Sequence, residues 1–255
     1  FYVKMNTNKP PMDDVNCRMA FAKAFDYGAA VKMIAVTDEV SQGAAATGAI
    51  PVGMFGANPA EQVIERDLEA AKQHLAECKY SPEDFTLEIS WIAEVPLEER
   101  FALLMQANYT ELGVKSEIRK MPWALFAEQV SKPENTPHMS QLFVNAVTGD
   151  PDTLLYGMYH SSSAGTWQSP EYLKDEEVDK LLDTGRTAAT PEGRQEAYAA
   201  LNARLMELAP TIYGYDRQSV FAASDRVKVP ALSDPSKAFG LDGMGFTFRL
   251  MEVAE

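Results

Sequence analysis

The sequence contains no run of about 18 apolar residues, the length a bilayer-crossing helix requires, so no segment reads as a membrane span. Histidine is scarce: His74, His138 and His160 stand far apart, with no His-Glu-x-x-His zinc pattern and no Gly-x-Ser-x-Gly elbow. An enzyme reading therefore has no local support. Only two cysteines occur, Cys17 and Cys78, too few for a disulfide scaffold and too scattered for a zinc site. Both fall on apolar faces of expected helices, which leaves two buried thiols and a single bridge both open. Basic residues are outnumbered, 23 Lys and Arg against 37 Asp and Glu, for a net charge of −14. Such a surface does not neutralise phosphates, which argues against a nucleic-acid partner. The stretch from Gly43 to Gly48 lacks the Gly-Lys-Ser/Thr ending of a phosphate loop.

What is present suits a globular α/β protein. The 255 residues are 46% hydrophobic and 24% charged, enough for a substantial core. Pro10 and Pro11 predict an extended approach to a helix that Asp13 or Asp14 caps. Val15, Met19, Ala22 and Phe25 then form its expected buried stripe, with Asn16, Arg18 and Lys23 in water. Asp26 is placed to cap a second short helix. Residues 43–56 read as a loop without a regular element, and 67–80 as a helix. Alternating residues 85–91, a helical pattern over 96–112 closed by Gly113, and alternation over 114–118 predict a parallel strand pair with a right-handed crossover.

Gln141–Val147 is the most apolar strand and is expected at the sheet centre. The turn Thr148–Asp152 follows, with Asp150 as cap and Pro151 in the first helical position. Helices are expected over 174–184 and 190–208, and strands over 211–215, 219–223 and 245–251.

Several of these segments carry a specific pattern. Asn6, Pro10, Pro11, Asp13, Asp14, Val15, Arg18, Ala20, Ala24 and Asp26 match an arm-and-helix segment of the family 5 extracellular solute-binding proteins, the receptors of dipeptide, oligopeptide and nickel ABC importers. Leu112-Gly113-Val114, the helix around Leu75, and Val178, Asp179, Leu181, Leu182, Arg194, Tyr198, Leu205 and Pro210 resemble later motifs of the same family in family order.

The resemblance implies the C-terminal lobe of a periplasmic-binding-protein-like type II fold, a mixed sheet flanked by helices. It divides the chain into a hinge arm (1–7), an α/β lobe (8–223) and a return segment (224–255) belonging to an absent N-terminal lobe. A small solute, that N-terminal lobe and an ABC permease are the implied partners. The implied location is periplasmic or extracellular, with a lipid anchor as a variant, and an oxidising compartment admits the cysteine bridge. No cofactor, metal or catalytic residue is implied. An alternative is the solute-sensing domain of a transcriptional regulator with the same fold.

In the family's peptide receptors an acid three residues before the Asp-Pro turn holds the ligand amine. Val147 stands there, so the resemblance implies a solute other than a free-amine peptide. Trp91, Trp123, Thr148, Tyr159 and Trp167 complete the expected ligand contacts, aromatic faces beside small polar groups.

Overall fold

A computed structural model describes residues 1–57, 63–146, 148–218, 220, 224–229 and 251–253. Its centre is a five-stranded mixed sheet in the order β4-β3-β5-β1-β6. The strands are β1 (Tyr2–Met5), β3 (Thr86–Ile92), β4 (Lys115–Met121), β5 (Met139–Leu142) and β6 (Thr211–Tyr213). β3 runs parallel to β4 and β5, and β1 runs antiparallel to β5 and β6. Residues 1–7, expected as a separate hinge arm, thus supply an interior strand.

Helices α1 (Val15–Ala24), α2 (Tyr27–Met33), α3 (Leu68–Glu77) and α4 (Leu97–Thr110) belong to one face of the sheet; α5 (Trp123–Gln129), α6 (Asp152–Tyr159), α7 (Glu176–Thr187) and α8 (Pro191–Leu208) cover the other. Most helix starts follow the expected capping chemistry. Asp14 accepts from the N–H groups of Asn16 and Cys17, Asp26 from Ala29, Asp67 from Ala70, Asp175 from Val178 and Thr190 from Gly193.

The expected phase of α1 is corrected. Val15 is 39% exposed, whereas Arg18 is buried at 5%. The Arg18 guanidinium donates to the carbonyls of Leu208 and Ala209 at the end of α8 and to Met12 O. These carbonyls would otherwise lack partners, so a cation inside the face satisfies a helix C-terminus. Beside it, Cys17 and Cys78 form a disulfide that ties α1 to the end of α3. Of the two alternatives open in the sequence, the bridge is the one adopted, which also takes these sulfurs out of metal ligation.

Two other expectations change. Residues 43–56 contain a short strand, β2 (Gly43–Ala44), paired with β7 (Asp216–Arg217). β5 lies at the sheet centre as expected but ends at Leu142, and residues 143–146 continue without regular structure. The strand expected over 219–223 falls, apart from residue 220, outside the described residues, as does that over 245–251 apart from residue 251. A two-strand ladder joins β8 (Val227–Lys228) to β9 (Glu252–Val253).

Candidate functional site

In open α/β sheets ligands lie beyond the carboxyl ends of the parallel strands. Here those ends are Ile92, Met121 and Leu142. Because β1 and β6 are both set by the register Tyr2↔Leu142 and Tyr2↔Tyr213, the chain enters β1 near this edge, and Tyr213 lies level with that entry. Gly214 N–H donates to Phe1 O at 3.0 Å. A β-carbon on Gly214 would meet the Phe1 ring at 2.5 Å, so only glycine permits this approach.

The turns leaving the three parallel strands are held by acids. After β3, Glu98 accepts the Ile92 N–H at 2.7 Å; burial pushes its carboxyl up to about 8, against that hydrogen bond. After β4, Glu94 accepts the Trp123 N–H at 3.0 Å. Trp123 meets Trp167 edge-on, with ring centroids 5.4 Å apart, and both rings are more than a third exposed. After β5, Asp150 accepts the Asp152 N–H at 2.9 Å, and Arg194 donates to both its oxygens at 2.8 and 3.0 Å. Partial burial works to raise the Asp150 carboxyl, but Arg194 holds it below the usual range. The turn is therefore tied to the first turn of α8.

Between the chain's entry and β7 lies a cavity of ≈ 130 Å³ whose lining includes Tyr2, Phe143, Val144 and Leu154, with Asn145 and Asp216 also on its wall. Asp216 accepts the Val52 N–H through Oδ2 at 2.8 Å, and burial pushes its carboxyl up. Larger depressions lie elsewhere. A polar one of ≈ 400 Å³ is lined by Glu88, Lys9 and Arg119, charges that already pair with one another. An apolar one of ≈ 320 Å³ runs beside α1 and the end of α8.

The expected contacts separate into three groups. Trp123 and Trp167 come together at the surface. Trp91 and Tyr159 are packed inside, at 3% and 1% exposure, with Lys120 Nζ 4.9 Å over the first ring and Lys4 Nζ 3.9 Å over the second. A solute reaching either would have to displace core packing. Thr148 is exposed and engaged with Thr153 Oγ1 at 3.2 Å, and Val147 lies outside the described residues. The sequence reading passed over Asp216, Glu98 and Asn145. The one local signal was a charged pair, Asp216-Arg217, directly after an apolar strand.

The profile of bacterial extracellular solute-binding proteins, family 5 Middle, matches residues 1–166. The chain belongs to this family. It is 29% identical over 218 residues to Heme-binding protein A of Haemophilus influenzae, covering 83% of this chain and 38% of that protein. It is 27% identical over 228 residues to Probable di/tripeptide-binding protein 5 of Pseudomonas aeruginosa, covering 86% of this chain and 42% of the other. The crystal structure of the ABC transporter substrate-binding protein CtaP from Listeria monocytogenes superposes with a TM-score of 0.84 at 18% identity, over all of this chain and 50% of that one.

The chain thus spans about two fifths of the curated relatives it matches. The fold is that of the periplasmic solute-binding proteins, and the family is one of extracellular binding proteins rather than enzymes. None of these relatives is named as a transcriptional regulator, so the sensor alternative finds no support.

Proposed function

We propose that this chain forms one wall of the solute cleft in the receptor of an ABC importer, delivering a small solute to a membrane permease. Residues 8–223, together with the strand from 1–7, form the C-terminal lobe, and 224–255 return to a second lobe that supplies the facing wall. What carries the reading is the single edge at which the carboxyl ends of three parallel strands and the chain's entry into β1 converge. Recognition on this wall uses the Trp123–Trp167 pair as an apolar platform and the acid-held turns as a fixed rim. The solute places no ammonium at the turn carrying Val147. The disulfide fits an oxidising compartment outside the cytoplasm, and a lipid anchor is compatible with it.

Closure around a solute supplies much of a receptor's affinity by desolvation. Calorimetry on this chain with peptides, sugars, opines and metal complexes is therefore expected to give dissociation constants no tighter than about 0.1 mM, as suits a half-enclosed ligand. Submicromolar binding by this chain alone would contradict the one-wall proposal.

A further inference from the structure

The junction of α1 and α3 gathers three metal-ligating groups. The sulfurs of Cys17 and Cys78 and one carboxylate oxygen of Asp14 all lie within 4.8 Å of one another. Asp14 N–H donates to Pro11 O, and Pro10 O meets His138 just before β5, which sets the junction on the side of the amino ends of the parallel strands. It is therefore across the lobe from the edge assigned to the solute.

The three groups are held differently. Cys17 is fully buried and Cys78 half-buried, so a soluble reductant reaches the bridge from the Cys78 side. Asp14 Oδ1 accepts the N–H groups of Asn16 and Cys17 at 2.8 and 3.3 Å, which orients the carboxylate whichever state the cysteines take. Its Oδ2 has a 3.5 Å ion-pair contact with Lys79, whose side chain is 66% exposed and can swing into water.

Reduction by a phosphine adds two electrons and two protons to the bridge and leaves two thiols, while the phosphine takes up the oxygen of water. A divalent ion bound by both sulfurs then displaces the two thiol protons, so its donors are two thiolates and one carboxylate. Donors of a tetrahedral zinc site, with bonds of about 2.0–2.3 Å, stand roughly 3.5–4 Å apart. The spacing here closes on one ion by side-chain rotation, and the fourth position is left to water. Thiolate donors favour zinc over magnesium or calcium. Such an ion would matter to α3, because Ala71 is the one fully buried residue of that helix and a tie at its end supports its docking.

We propose that Asp14, Cys17 and Cys78 form a zinc-type site in the reduced chain, tying α3 to α1 through a metal ion where the oxidised chain ties them through a disulfide.

Co²⁺ is the probe, because thiolate ligation gives it charge-transfer absorption that oxygen-only sites lack. The phosphine-reduced 255-residue chain, kept free of oxygen, is expected to show this absorption with saturable binding, and Zn²⁺ but not Mg²⁺ should abolish it. The oxidised chain should show none. Asp14→Asn keeps a helix cap and is expected to weaken Co²⁺ by at least about 10-fold, the scale on which even outer-shell partners of a metal act. Cys78→Ser should remove about half of the absorption per bound ion, since one of two thiolates is lost. Zn²⁺ should also raise the urea midpoint of the reduced chain and leave that of the oxidised chain unchanged. No thiolate absorption in the reduced chain overturns the proposal, as does unchanged Co²⁺ affinity in Asp14→Asn or an unchanged spectrum in Cys78→Ser. Equal Co²⁺ binding by the oxidised chain overturns it too, since the ion would then sit on surface acids. Should reduction unfold the chain, Zn²⁺ is expected to restore its circular dichroism, and failure to do so counts against the site.

Discussion

On one face of the sheet β1 sends Val3 and Met5 into a core with Phe21, Phe101 and Met105; on the other it sends Tyr2 and Lys4 toward Tyr159 and Tyr213. The first face is mostly apolar, with Arg18 closing a helix end and Glu98 and Asn108 of α4 buried as hydrogen-bond acceptors, and a disulfide staples its helix α3, of which only Ala71 is fully buried. The second face carries an interior ion pair, Lys4 with Glu171 at 3.3 Å and both side chains at 0% exposure, and three Arg–Asp contacts on its helices. Apolar burial gives the first face its stability with little directionality. The second, built on directed polar contacts, fixes the position of α6, whose leading turn borders the proposed cleft.

The largest effect that would sharpen this contrast is expected from the staple. Replacing both Cys17 and Cys78 by Ala releases a loop set by the sequence separation of 61 and should cost about 4 kcal/mol by the chain-entropy estimate. Urea titration and faster proteolysis between residues 63 and 80 would check it, whereas an unchanged midpoint would mean that α3 needs no staple. Next comes the ion pair. Lys4→Met leaves Glu171 buried without its cation and should cost about 3 kcal/mol, while Lys4→Met with Glu171→Leu should recover most of it. Denaturant midpoints of the three proteins test this, and additive losses would contradict it.

His138 sits where the arm around Pro10 meets β3. Its Nδ1 accepts the Glu88 N–H at 3.0 Å and its Nε2 donates to Pro10 O. Burial, with Lys9 nearby, pushes the ring from 6.5 down to about 4. A base lowered in the folded state contributes fully above its unfolded value and loses that contribution as pH falls through the folded one. The stability of the wild type relative to His138→Gln is thus expected to fall by about 2 kcal/mol between pH 7 and pH 4. Parallel urea curves at both pH values read it directly, and a flat difference would place the ring in a less buried setting.

The smallest effect belongs to Arg186, which is 43% exposed, bonded to Asp152 at 3.0 and 3.1 Å and stacked over Tyr156. Arg186→Ala should cost less than about 1 kcal/mol in thermal unfolding. A larger loss would mean that the second face depends on its surface clasps as well as its interior pair.

Local chemistry was legible in the sequence where one residue decides it. Capping acids, a proline after a threonine and alternating strands each act within four residues, and the helix starts and parallel crossover followed them. Arg18 was misread because the carbonyls that bury it lie 190 residues away, where no periodicity reports them. The same limit governs the site. Trp91 and Tyr159 have the composition of ligand contacts, but sheet packing encloses them, and only Trp123 and Trp167 meet at the surface. Asp216 reaches the wall of the small cavity because β7 pairs with β2, and it meets the Val52 N–H across 164 positions.

The three tryptophans give the most direct test of the proposed wall, since two lie on it and one is buried inside. Fluorine NMR of the 5-fluorotryptophan-labelled protein, titrated with any solute found to bind, is predicted to shift the Trp123 and Trp167 resonances and leave Trp91 in place. Saturable binding that leaves both exposed tryptophans unmoved would contradict the assignment of this edge as the cleft.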